Sequence, residues 1–260
     1  MYSHKKTEKD LELKMGLEDL TLYKINNNQR NWNYNDMIIC SMDPGEINFA
    51  IRIERRSYTL DLNSKFILNF VIPIYYERIN IHGNDQTSTY SILTEHLDTI
   101  FHIVSRCNIF LIEKQVPKNY KCVRINQHII SYLLLKLSSS EINPLIYDLH
   151  PNLKYKSFGI DKQKMTKYEK KQKSVMIAKD FLSKVGDQWS LTILENDKVK
   201  GKIKGEDLAD TVTQMEAFFI KIGYSNYTPP ANCILSKDSL SVIERYNQNI
   251  SQLQTYGFNI

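Results

Sequence analysis

Met37 to Met42 reads MIICSM, a short run with apolar residues on both faces, and it is followed at once by Asp43. Such a run predicts a fully buried strand. Asp43 stands where the strand stops, Pro44 and Gly45 turn the chain, and Asn48 to Ile53 resumes as a second strand. A carboxylate held at the end of a buried strand is unfavourable unless a cation lies near it. The stretch therefore admits two readings: a plain hairpin with an acid in its turn, or half of a cation site.

The chain beyond it carries more strands of the same kind. Phe66 to Tyr75 is a third apolar run, and Pro73 makes it an edge strand or a strand end. Leu93, Leu97, Ile100 and Val104 fall at helical spacing, which predicts one amphipathic helix of about fifteen residues. Asn108 to Glu113 (NIFLIE) is another buried strand that ends on a carboxylate. Lys121 to Leu137 is a helix with a wide apolar face, and Pro144 to Leu149 a further strand. Three strands in a meander followed by βαβ units predict a mixed sheet with helices on its faces.

Basic charge is concentrated where the strands give out. Lys154 to Lys173 holds eight lysines against Asp161 and Glu169, with Tyr155, Phe158 and Tyr168 interleaved. From Thr166 it becomes a helix that ends before Gly186. Lys198 to Lys204 (KVKGKIK) is a second basic run. One-signed patches of this kind suit a phosphate backbone, and a solvated helix face is the alternative. Gly205-Glu206-Asp207-Leu208-Ala209-Asp210 opens the last core helix, with an apolar stripe of Leu208, Val212, Met215 and Phe219. Asp207 and Asp210 are three residues apart and share one side of it. The helix dipole accounts for Glu206 and Asp207 in the first turn better than for Asp210.

Asp43, Glu113, Asp207 and Asp210 thus stand at strand ends and at a helix start. Neighbouring strands lie about 4.8 Å apart, so acids at matching ends can share a cation. Four hard oxygen donors with no clustered thiol or imidazole suit Mg²⁺ or Mn²⁺. Two such ions about 4 Å apart are the usual device for in-line displacement at phosphorus.

Three motifs in this order, DPGEINFA and IEKQ after strands and GEDLADTVTQ at a helix start, resemble those of the RuvC-like branch of the RNase H superfamily. The nearest pattern is that of the poxvirus-type Holliday junction resolvases. The resemblance covers about residues 37 to 222. It implies an α/β, RNase H-like mixed sheet with helices on both faces, and a Mg²⁺- or Mn²⁺-dependent endonuclease with two ions per site, held by Asp43, Glu113, Asp207 and Asp210. It further implies a homodimer acting on branched DNA in recombination and repair, and a viral source with action in the host cytoplasm on recombining or concatemeric genomes. Gln115 matches the glutamine of the second motif, and Asn48 the asparagine of the first turn. YEKKQKSV resembles the segment that supplies a catalytic lysine, for which Lys171 is the first choice, ahead of Lys173 and Lys170. Lys118, Arg124, Lys162, Lys164, Lys167, Lys170, Lys173, Lys202 and Lys204 are the candidate DNA contacts, with Gln115. Where the viral motif usually reads Lys-Asp-Asp, this chain has Gly205-Glu206-Asp207.

The remaining composition narrows the class. The formal charge of +5 permits nucleic-acid binding without demanding it. Cys40, Cys107, Cys122 and Cys233 form no CxxC pair, so free thiols in a reducing, intracellular compartment are expected. No apolar run approaches the length of a membrane span, and no small-molecule cofactor motif is present. Residues 1–36 read as an N-terminal extension with a short helix near Glu8 to Leu20, and 223–260 as a C-terminal extension with an amphipathic helix. A hybrid-directed ribonuclease and a non-catalytic nucleic-acid-binding module share much of this pattern. An actin-like ATPase would need a second Gly-rich phosphate loop, which nine glycines do not supply.

Overall fold

The computed structural model describes residues 20–25, 35–61, 66–160, 165–199, 202–203, 205–225 and 227. A six-stranded sheet is built from β1 (Leu20–Lys24), β2 (Met37–Asp43), β3 (Phe49–Leu60), β4 (Phe66–Ile79), β5 (Ile109–Glu113) and β6 (Leu145–Leu149). Their order across the sheet is β1-β6-β5-β2-β3-β4. The strands β2, β3 and β4 form an antiparallel meander, β5 and β6 continue it in parallel with β2, and β1 closes the far edge antiparallel to β6. This is the RNase H-like mixed sheet expected from the motifs.

Helices α1 (Gln86–Thr99), α2 (Phe101–Val104) and α3 (Tyr120–Lys136) lie on one side of the sheet. Helices α4 (Leu153–Ser157), α5 (Lys167–Lys184), α6 (Gln188–Asn196) and α7 (Glu206–Lys221) lie on the other. A two-stranded ribbon, β7 (Lys198–Val199) with β8 (Lys202–Ile203), precedes α7. The alternation of side chains decides which residue meets which layer. Cys40, Met42, Phe110 and Ile112 pack with Leu93, Leu97, Ile125 and Ile129. Ile39 and Leu111 point the other way, to Met215 and Phe218 of α7. By the same period of two, Asp43 and Glu113 fall on the α7 side.

The helix boundaries have local causes. Thr166 and Glu169 cap α5 reciprocally, each side chain taking the other's backbone N–H. Gly186 follows the end of α5 at φ 75°, a conformation that favours glycine. The helix expected through Val104 is divided at Ile100 into α1 and α2.

Three parts of the sheet and its cover differ from the sequence reading. First, β1 and α6 were not expected. The β1 strand comes from the stretch read as an extension, and it pairs with β6 over five residues. Apart from Leu20, the helix expected near Glu8 lies outside the described residues, as does the C-terminal amphipathic stretch. Second, β4 runs on past Pro73 to Ile79. It is an edge strand, and its register with β3 shifts between Ile53 and Glu54, where Pro73 enters the pairing. An edge with a break in the ladder is where a proline is tolerated.

Third, β3 does not stop at Ile53 but continues through the charged run Glu54-Arg55-Arg56. Arg52, Glu54 and Arg56 all face α7 and α6, and all are fully buried. Arg52 donates to Glu54 and to Asp187 at 2.7 Å, and Arg56 pairs with Glu54 and with Glu216 of α7 at 2.9 Å. The rings of Phe181 and Phe219 flank the Arg56 guanidinium. Burial pushes the Glu54 carboxyl up, but the two guanidinium groups outweigh it and leave its pKa below the usual range. The stability due to Glu54 is therefore complete at neutral pH, and it is lost as pH falls through that lowered value. Arg56→Leu strands Glu216 in the interior. It is expected to lower unfolding free energy by about 3–5 kcal/mol, read from urea melts, with Arg56→Leu/Glu216→Leu recovering part of that loss.

Candidate functional site

The parallel strands β2, β5 and β6 all end at one edge of the sheet, and the chain after each end contributes to one site. In open α/β sheets that edge is the usual place for a ligand. Met42 pairs with Ile112, so Asp43 and Glu113 follow side by side. Gly45 makes the return from Asp43 tight. A Cβ there would sit 2.8 Å from the Asn48 carbonyl oxygen. Asn48 accepts a hydrogen bond at 3.1 Å from Arg78, which also grips Asp197 in front of the β7–β8 ribbon. The Asn48 side chain therefore braces the turn.

After β6 the chain enters α4, and Lys154 turns back into the site. Its Nζ lies 3.0 Å from Glu113 Oε2 and 2.8 Å from Asp210 Oδ1, with the lysine side chain only 8% exposed. Glu113 and Asp210, a strand end and a helix turn nearly a hundred residues apart, therefore share one ammonium. Burial opposes the charge on Lys154, but Asp210 and Glu113 outweigh it and hold its pKa well above the usual lysine value. Asp43 faces the same group. Burial first, then the charges of Glu113 and Asp210, push its carboxyl well above the usual range, with Lys154 pulling it back. Asp207 is raised mainly by burial and drawn down by Lys171. Ser174 of α5 donates to Asp210 Oδ1 at 2.5 Å.

The four acids expected from the sequence thus stand close enough to perturb one another electrostatically. Among the described residues, no group of three or more His, Cys, Asp and Glu is drawn around a single point as metal ligands are. The donor set nonetheless fits a hard divalent cation. Its acids repel one another, and an ammonium already serves as counter-cation to two of them.

The basic candidates scatter more widely. Lys171 bonds Glu206 at 2.5 Å, next to Asp207, so the glutamate absent from the expected acid set anchors the expected catalytic lysine. Lys167 is exposed and Lys170 half-buried on α5, while Lys173 is 8% exposed and points inward, unlike a contact to a DNA backbone. Lys118 and Arg124 are exposed, with Arg124 over the Tyr120 ring. Gln115 donates to the Glu113 carbonyl oxygen at 3.2 Å, which ties it to the strand end. Lys202 lies in β8, and Lys162, Lys164 and Lys204 fall outside the described residues. Lys154 is the site residue that sequence reasoning did not single out. Its signal was position: it follows the end of a third parallel strand.

No protein-family model and no curated protein sequence matches the chain. Several solved structures resemble it at low identity. Thermus thermophilus RuvC shares 14% identity at a TM-score of 0.43, over 75% of this chain and 100% of that one. The yeast mitochondrial Holliday junction resolvase Ydc2 shares 14% at 0.48, over 95% and 92%. The fowlpox virus resolvase, solved with Holliday junction DNA, shares 21% at 0.41, over 67% and 91%. The sheet order by itself places this chain among RNase H-like folds.

Two replacements at the acids should move stability in opposite directions. Lys154→Met removes the shared cation and should cost about 3–5 kcal/mol in EDTA, part of it regained on adding Mg²⁺. Asp43→Asn should stabilise the metal-free protein, because the raised Asp43 pKa marks a charge the fold disfavours. That penalty is absent below about pH 4, where both states are protonated, grows as pH rises from there toward the raised value, and is complete above it. Urea midpoints of both variants across pH, with and without Mg²⁺, test the pair.

Proposed function

We propose that this chain is a structure-selective DNA endonuclease that resolves four-way junctions by metal-assisted hydrolysis of phosphodiester bonds. The observation that carries the reading is the meeting of Asp43, Glu113 and Asp210 about one buried ammonium, with Asp207 one turn up the same helix. A protein that only binds nucleic acid has no use for acids repelling one another at the end of a sheet. The resemblance of the three ordered motifs to those of the poxvirus-type resolvases supports a junction as the substrate.

Asp43, Glu113, Asp207 and Asp210 would hold Mg²⁺ or Mn²⁺, which when bound activates water as a nucleophile and offsets charge on the leaving oxygen. The other roles belong to the chain itself. Glu206 and Asp207 outweigh the effect of burial and keep Lys171 protonated, beside the helix start, where it offsets charge building on the phosphate. Ser174 holds Asp210 in one orientation. Lys118, Arg124, Lys167 and Lys170 follow the phosphate backbone, a contact that weakens with salt. The reading extends to a homodimer that sets two such sites on opposed strands of a junction, and to recombining or concatemeric viral genomes as the biological substrate.

The test is incubation with Mg²⁺ and either a mobile four-way DNA junction or an RNA–DNA hybrid. Paired nicks across the junction are expected, falling to background in Asp43→Asn while junction binding persists. Cleavage confined to the hybrid would replace the substrate with that of a ribonuclease. Binding of the junction with no cleavage by the wild type would make the protein a binding module.

A further inference from the structure

Helix α7 is buried almost all round, and it carries four buried polar side chains besides its site acids: Thr211, Thr213, Gln214 and Glu216. Three have partners away from the two strands that carry Asp43 and Glu113. Thr211 and Thr213 donate back to carbonyl oxygens of their own helix, and Glu216 pairs with Arg56. Gln214 differs. Its Nε2 reaches out of the helix to Leu111 O at 2.9 Å, Ser41 Oγ at 3.2 Å and Met42 O at 3.4 Å. Leu111 lies two residues before Glu113 and Met42 one residue before Asp43. Gln214 itself lies four residues after Asp210, on the same side of the helix. One amide therefore joins the helix that carries Asp210 to both strands that carry the other acids, within one to four residues of each acid.

We infer that Gln214 is a positioning residue that fixes the separation of the Asp43, Glu113 and Asp210 carboxylates. The inference rests on reading those acids as one metal-holding site. The physical case is that the amide is costly where it stands. Gln214 is 4% exposed, and its Oε1 has no hydrogen-bond partner among the described residues. A methionine or leucine would fill the same volume without the cost of desolvating an amide. The carbonyl oxygens of Leu111 and Met42 also fix which way the amide lies, since a flipped Oε1 would face two groups that can only accept. The return is orientation. Glu216 ties α7 to β3 through Arg56, and the hydrogen bonds of Gln214 set its height against β2 and β5, the strands that carry Asp43 and Glu113. Sites of this kind lose function when groups move by about 1 Å, and second-layer residues at metal sites typically control affinity by 10–100-fold.

The experiment compares Gln214→Met with Thr211→Val, which removes a buried polar group from the same helix without touching the strands. Both are followed by urea unfolding in EDTA, by Mn²⁺ binding read by electron paramagnetic resonance, and by crystallography. In Gln214→Met the expected result is a Mn²⁺ affinity lower by about 10–100-fold, with Asp210 displaced from Glu113 and Asp43. Thr211→Val should lose stability yet keep wild-type affinity and acid geometry. Wild-type Mn²⁺ affinity and unmoved carboxylates in Gln214→Met would overturn the inference, as would an equal loss of affinity in both variants. Should the wild type bind no Mn²⁺, the nuclease reading fails separately. The crystal structures then decide: displaced carboxylates in Gln214→Met support the positioning role, and unmoved ones end it.

Discussion

The ammonium of Lys154 lies between Glu113 and Asp210 and faces Asp43. Without a cation there, acids from two strands and a helix would be pressed together in a poorly solvated corner, and their mutual repulsion would oppose the docking of α7 on the sheet. Placing one lysine among them lets the strand ends and the helix start meet. The arrangement still leaves Asp43 with its charge disfavoured by burial and by its neighbours.

Helix α7 carries that demand into the interior. It supplies Asp207 and Asp210 at one end, Gln214 at its middle and Glu216 beyond. Every residue from Thr211 to Ile220 is buried. Apolar contacts with the sheet provide much of the adhesion but little directional preference. Direction comes from the polar ties. Glu216 can reach Arg56 in one register only, and Arg56 is locked in turn by Glu54 and Arg52. Buried ion pairs of this kind add little net stability over an apolar substitute, but breaking one is costly. Here they act as a key that fits α7 to β3 at a single height.

Much of this was legible in the chain. The buried strands announced themselves by runs apolar on both faces, Thr166 and Gly186 by their roles at helix ends, and the acids by standing where apolar runs stop. What could not be read has specific causes. The charged run Arg52-Ile53-Glu54-Arg55-Arg56 looks like the end of a strand, because its alternate charges are neutralised by Asp187 and Glu216, 135 and 160 residues away. The strand β1 lies in a polar stretch that reads as an extension, and it is defined by the edge of β6 with which it pairs. Helix α6 carries Trp189 and Ile193 among polar residues, with only Ser190 and Leu194 buried, so its amphipathic signal is thin.

The sequence by itself determined which apolar runs would be buried, where β2, β5 and β6 and the cap of α5 lie, and which carboxylates follow those runs. These follow from local chemistry: the period of side chains, the conformational limits of proline and glycine, and the cost of burying a charge at a strand end. Only the tertiary structure decided that the acids meet, that Lys154 of all the lysines in its patch bridges Glu113 and Asp210, that Lys173 turns inward, and that Gln214 spans two strands. Those outcomes depend on which elements become neighbours. Electrostatic partners and hydrogen-bond acceptors are set by distance in space, and separation along the chain carries almost no information about it.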